Sequence, residues 1–175
     1  MCSGNGSNFE NIHHACPKHD IVIMVYNKKK AKAKRRADRL DIPSCYSKDE
    51  DEIIALFNAY EVDMIVMAGW MRIITPKLIN AFPQRIINLH PSLLPKYKGL
   101  HAVEQAINNG EEFTGCSVHY VNEELDGGEV IMQSEVPILP EDTIKSLTKA
   151  IQRKEYAILP AAIEHVKQRL SLEIS

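Results

Sequence analysis

The sequence predicts an α/β domain: a mostly parallel sheet with helices on both faces, ending in an antiparallel part. Three observations predict it. Residues 21–26 (IVIMVY), 62–69 (VDMIVMAG) and 85–89 (RIINL) are compact apolar runs rich in Val and Ile, as parallel strands buried on both faces tend to be. Helical patterns fall between them, and alternation of this kind builds a sheet covered by helices. Beyond residue 110, residues 115–121 (GCSVHYV) and 129–138 (EVIMQSEVPI) flank a turn ending in Asp126, Gly127 and Gly128, good chemistry for reversing a strand into an antiparallel pair.

Each element has its own signal. At the N-terminus, Gly4, Asn5 and Gly6 form a glycine turn ahead of a helix, and Ser7 with Glu10 three residues later reads as a capping box. Such a turn normally follows a strand, yet only residues 1–3 precede it, so the first strand of the sheet is expected to be truncated and the chain to be marginally stable. Residues 30–40 and 49–60 fit crossover helices, the second with acidic residues in its first turn, where they complement the helix dipole. Thr75 and Pro76 read as an N-cap followed by proline at the first helical position. From Pro140 to about Leu170 runs a long amphipathic pattern, expected to break or bend near Pro160.

With 175 residues the chain fits one domain, residues 1–175, large enough for a substantial core. Apolar residues make up 45% and charged residues 25%, as in an average globular protein. A net charge of −2 and a pI near 6.4 argue against a general nucleic-acid or membrane-surface binder. No apolar run approaches the roughly 18 residues of a membrane span, and no secretory signal opens the chain. Cys2, Cys16, Cys45 and Cys116 are scattered, without C-x-x-C spacing, and read as reduced thiols of a cytoplasmic protein.

Two segments carry candidate chemistry. In the first, Gly6, Ser7 and Asn8 open a helix, where backbone N–H groups and the helix dipole favour an anion such as phosphate. The same residues also fit a plain loop and cap. A dinucleotide fingerprint needs a third glycine near Phe9 and an acidic residue after the next strand; the chain has Asn27 and then lysines, which disfavours a nicotinamide cofactor. In the second segment, Asn88 and His90 lie two apart on a strand, so they share a face at its C-terminal end, where open α/β sheets bind ligands. An amide can donate to a developing oxyanion and an imidazole can exchange a proton near neutral pH. A turn-capping Asn88 and a structural His90 fit the spacing equally. Pro91, Pro95 and Gly99 shape the loop that follows.

Asp126 suits a histidine partner or simple turn chemistry. Ser117 and His119 share one face of their strand and Cys116, Val118 and Tyr120 the other; His119 fits either the same site or a strand surface. Residues 28–39 hold eight basic residues in twelve, the usual mark of a solvated helix face, though such a run also attracts anions. His13 and His14 lack ligand partners at metal-binding spacing, so no metal is expected. Residues 67–74 fit core packing or a slot for a flat heterocycle.

In that order and spacing, SGNGSN (3–8), AGWMRI (68–73), NLHPSLLPKYKG (88–99), GCSVHYV (115–121) and ELDGG (124–128) closely resemble the folate-dependent formyltransferases, in particular the glycinamide ribonucleotide formyltransferases of purine synthesis. The likeness runs from about Ser3 to Pro160. It implies a three-layer Rossmann-like formyltransferase fold and formyl transfer from 10-formyltetrahydrofolate, a co-substrate, to the amine of glycinamide ribonucleotide, with no metal. By the resemblance, Asn88, His90 and Asp126 are the catalytic trio, and Gly6, Ser7 and Asn8 hold the ribonucleotide phosphate. Gln152, Arg153, Lys154 and Glu155 match a segment that contacts the ribonucleotide. Met71, Arg72, Ile73 and Ile74, with Asn88 and with Asn122, Glu123, Glu124, Leu125 and Asp126, match the folate-binding positions.

Three departures stand out. The first strand is truncated, the C-terminus is short, and the region near residues 46–48 lacks an arginine that family members place against folate, Lys48 being the nearest substitute. Alternatives are a formyltetrahydrofolate hydrolase, a formyltransferase acting on charged tRNA, and an inactive truncated nucleotide-binding module. The first two carry extra N- or C-terminal domains in the family, which favours the small-substrate transferase. The expected partners are the two small substrates, with no nucleic acid and no membrane, in a monomer or homodimer.

Overall fold

The computed structural model describes residues 1–174, the side chains of residues 172 and 174 excepted. The elements run α1 (Ser7–Ala15), β1 (Met24–Tyr26), α2 (Lys32–Arg39), β2 (Ser44–Tyr46), α3 (Glu50–Ala59), β3 (Ile65–Met67), α4 (Pro76–Ala81), β4 (Ile86–His90), α5 (Ala102–Asn108), β5 (Phe113–Tyr120), β6 (Val130–Pro137) and α6 (Ile144–Ile174). They fall into two compact units, one spanning Met1–Asn88 and the other beginning at Leu89.

In the first unit β1 pairs in parallel with β2, Val25 opposite Cys45, and β3 pairs in parallel with β4, Met67 opposite Asn88. Residues 1–3 run between β1 and β3. The Cys2 N–H donates to the Val25 carbonyl at 2.9 Å, while the N–H groups of Ala68 and Ser3 donate to the carbonyls of Met1 and Gly69 at 3.1 and 2.9 Å. The Met1 amine donates to the Val66 carbonyl at 2.8 Å. Strand order in this unit is therefore β2, β1, residues 1–3, β3, β4. One helical layer closes over it through Cys2, Phe9, Met24, Ala33, Ala37 and Ile42. Burying a side chain the size of Met24 or Phe9 contributes about 1.5–3 kcal/mol. The small Ala33 and Ala37, wholly buried, let α2 approach closely despite its basic composition.

The second unit is built on the antiparallel pair β5 and β6, Cys116 opposite Ser134, with a register shift between Val118 and His119. Its core gathers Val103 of α5, Cys116, Val136, and Leu147 and Ile151 of α6. Alternation along β5 sends Cys116 toward this core and frees Ser117 for the other face, as the sequence predicts.

Three expectations are corrected. Gly6, not Ser7, is the N-cap of α1, in a left-handed conformation with φ 74°, and no side chain caps the helix; Glu10 is instead engaged by Arg36 and Arg39, so the capping box does not form. Thr75 is the N-cap of α4 and Pro76 its first residue, as the sequence predicts, while the Thr75 hydroxyl donates to Glu50. The helix assignment of α6 continues through Pro160 without a break. The basic run of α2 is not simply solvated, since two of its arginines pair with α1.

Candidate active site

The proline-rich stretch after β4 is pinned from the β5–β6 hairpin. The Ser117 hydroxyl donates to the Ser92 carbonyl at 2.6 Å and accepts from the Leu94 N–H at 3.1 Å. Gln133 of β6 donates to the Leu94 carbonyl at 2.8 Å and to the Ser117 hydroxyl at 2.9 Å. The Ser92 hydroxyl closes the turn on the Lys96 carbonyl at 2.6 Å. Polar side chains of the hairpin thus satisfy the backbone of an irregular loop.

That loop fixes His90. Its Nε2 lies 2.8 Å from the Tyr97 carbonyl, an obligate acceptor, so Nε2 carries the proton of the neutral ring. Nδ1 then faces Asp126, 3.4 Å from Oδ2. The same carboxylate oxygen accepts the Gly99 N–H at 2.8 Å. On the opposite side His119 repeats the arrangement: Nδ1 lies 2.8 Å from the Tyr120 carbonyl and Nε2 faces Asp126 Oδ1 at 3.5 Å. Each imidazole spends its one neutral-state N–H on a backbone carbonyl. A proton taken up by either ring therefore arrives on the nitrogen that faces Asp126.

All three groups are buried. Burial alone pushes the Asp126 carboxyl up, but the His119 contact, the Gly99 N–H and the charges of His90 and His119 outweigh it and hold the group below its ordinary value. Asp126 stands at φ 50°, a left-handed conformation that Asp tolerates better than most residues. The turn that delivers it needs a glycine nearby, since a Cβ on Gly128 would lie 1.7 Å from the Tyr120 carbonyl oxygen.

Asn88 stands two residues before His90 on β4, on the same face, in register with Met67 of β3. In the first unit, Gly6 begins α1 in the left-handed region, and a Cβ there would sit 2.7 Å from that of Ala33, so glycine serves both the turn and the close approach of α2. Ser7 and Asn8 follow as the first helical residues, in the turn whose N–H groups lack intrahelical acceptors by construction.

Met71, Arg72, Ile73 and Ile74 follow β3. Met71 and Ile73 are 59% and 75% exposed. Arg72, Ile73 and Ile74 line an open cleft of about 280 Å³ with Trp70, Lys48 and Thr75. Asn122, Glu123, Glu124 and Leu125 are exposed, ordered by an Asx turn in which Asn122 Oδ1 accepts the Glu124 N–H at 3.0 Å. On α6 the four-residue segment divides: Glu155 is buried and Gln152, one turn before it, partly so, whereas Arg153 and Lys154 are exposed.

The sequence profile described as Formyl transferase matches residues 1–163. The chain belongs to the formyl transferase family. Its similarity to single enzymes is equally extensive. The phosphoribosylglycinamide formyltransferase of Haemophilus influenzae is 39% identical, with 94% of this chain and 84% of the relative covered. That of Escherichia coli is 40% identical over 93% of this chain and 83% of the relative. The crystal structure of phosphoribosylglycinamide formyltransferase from Anaplasma phagocytophilum superposes with a TM-score of 0.93 at 37% identity, covering 96% of this chain and 85% of that one.

For this formyl transferase, sequence reasoning names the His90–Asp126 pair and leaves His119 open between site and surface; the structure puts His119 on Asp126. It misses the Gly99 N–H and the Tyr97 carbonyl, backbone groups that no side-chain pattern announces.

Proposed function

We propose that this chain transfers a formyl group from 10-formyltetrahydrofolate to the amine of glycinamide ribonucleotide, a step of purine synthesis. The observation that carries the reading is the buried His90–Asp126 pair, fixed by the Tyr97 carbonyl and the Gly99 N–H, on a chain of this family.

The nucleophile is the substrate's own amine, so no serine or cysteine need be activated. This accords with Cys116, whose thiol burial and the nearby Glu155 charge push up to about 12. The amine nitrogen bonds to the formyl carbon, the bond from that carbon to N10 of the donor breaks, and one amine proton is passed to N10. As charge grows on the formyl oxygen, the Asn88 amide donates to it, and His90, paired with Asp126, serves the proton transfer. Asp126 holds His90 in orientation and relays the proton through water. Much of the remaining acceleration comes from holding two substrates in attack geometry.

Gly6, Ser7 and Asn8 bind the ribonucleotide phosphate; the family resemblance assigns the segment of Gln152, Arg153, Lys154 and Glu155 to the same substrate. Met71, Arg72, Ile73 and Ile74, and likewise residues 122–126, are assigned to the folate by the family resemblance. Lys48, in the same cleft as Arg72, takes the place of the family's folate-contacting arginine.

The test is direct. Purified protein is mixed with glycinamide ribonucleotide and 10-formyltetrahydrofolate, deformylation is followed by absorbance, and the formylated ribonucleotide by mass. Product that requires both substrates supports the reading. Loss of the donor's formyl group without the ribonucleotide would instead mean a hydrolase, and thermal stabilisation by only one substrate with no turnover a binding module.

A further inference from the structure

Arg36 stands in the basic run of α2, yet its guanidinium turns toward the glycine loop. Nε donates to the Asn5 backbone carbonyl at 2.8 Å and Nη2 to Asn5 Oδ1 at 3.3 Å, while Nη1 pairs with one oxygen of Glu10 and Arg39 takes the other. One turn earlier, the Ala33 N–H donates to the Gly4 carbonyl at 3.1 Å. Two successive carbonyls of the loop are thereby drawn to α2. Carbonyl oxygens repel an anion, so tying them back leaves the N–H side of the loop to face it.

The charge arrangement points the same way. Glu10 lies in the first turn of α1, where a carboxylate competes with any bound anion for the positive end of the helix dipole. Arg36 and Arg39 neutralise it.

We propose that Arg36 is a positioning residue for the ribonucleotide phosphate: it sets the carbonyls of the Gly4–Gly6 loop away from the anion and cancels the Glu10 charge at the α1 N-terminus. The inference rests on the assignment of Gly6, Ser7 and Asn8 to that phosphate.

Three variants test it: Arg36→Gln, Arg36→Lys and the double variant Arg36→Gln with Glu10→Gln. Steady-state kinetics are measured against each substrate, together with thermal shifts by the ribonucleotide alone and by inorganic phosphate alone. Loss of one charge-assisted positioning contact predicts a rise in ribonucleotide KM of roughly tenfold in Arg36→Gln, with kcat and the donor KM within about twofold. The thermal shift by ribonucleotide falls in parallel. Arg36→Lys, which keeps the charge but not the fork, lies between wild type and Arg36→Gln. The double variant recovers part of the affinity because the carboxylate, left with Arg39 as its one remaining arginine partner, is gone.

A ribonucleotide KM and thermal shift unchanged in Arg36→Gln overturn the inference, as does an equal loss for both substrates with a lowered melting temperature, which marks a purely structural role. If Arg36→Gln does not fold, an unchanged ribonucleotide KM in Arg36→Lys overturns it. A wild-type protein that neither turns over nor is stabilised by the ribonucleotide or phosphate removes the phosphate assignment itself, a different failure from a wild type that binds and an Arg36→Gln that binds equally well.

Discussion

His90 and His119 hold Asp126 from opposite sides, Nδ1 of the first 3.4 Å from one carboxylate oxygen and Nε2 of the second 3.5 Å from the other. Replacing Asp126 by Asn keeps the shape and removes the charge that receives either ring's second proton. Asp126→Asn and His90→Ala are expected to lower kcat by roughly 10²–10⁴-fold, the usual worth of a positioned acid or base. Ribonucleotide affinity, read by titration calorimetry, changes only modestly. Near-normal turnover in both variants would refute the assigned roles.

Acid stability follows from the same carboxylate. Because its folded value lies below the ordinary one, the unfolded chain binds more protons in that window and stability rises with pH through it. The contribution is complete above the unfolded value of about 4 and disappears as pH falls through the folded value. Urea midpoints between pH 6 and 3 should therefore fall less steeply for Asp126→Asn than for wild type. Parallel curves would contradict this.

Gly128→Ala should be among the more damaging single-methyl additions. The new Cβ meets the Tyr120 backbone oxygen, which cannot move without opening the pairing at the end of β5. A loss of roughly 2–4 kcal/mol is expected by chemical denaturation, in the upper range for a point change. A midpoint within error of wild type would show that the turn rearranges freely.

Thiol labelling gives a check on packing. Cys2, Cys16 and Cys116 are buried and Cys45 only partly so. Burial raises the Cys45 thiol, helped by the Glu52 charge, so even this residue should react slowly. Under native conditions at pH 8, mass spectrometry after alkylation is expected to find a single modification, at Cys45, and four after denaturation. Native labelling at Cys116 would mean that the β5–α6 core opens readily.

Much of this was legible from local pattern. The Val and Ile runs locate β1, β3 and β4, and the Asp-Gly-Gly turn locates the β5–β6 hairpin. Asn88 and His90 follow from strand alternation, since the period of two survives any tertiary context. The remainder depends on distant partners. Ser44, Cys45 and Tyr46 lack a periodic apolar signature and become β2 only because β1 offers an edge. Helix α5 starts from His101 at φ 60° with no capping signal. Ser7 and Glu10 spell a capping box that the left-handed Gly6 N-cap pre-empts, and Asp126 meets the Gly99 N–H across 27 residues of sequence. No window of neighbouring residues contains such information.

Residues 1–3 occupy an interior lane of the first unit, bonded to β1 on one flank and β3 on the other. Removing so short a piece would strip the partners from two central strands at once and create a pair of raw edges, each a template for intermolecular pairing. The loss would show itself first as insolubility, before any change in catalysis could be read.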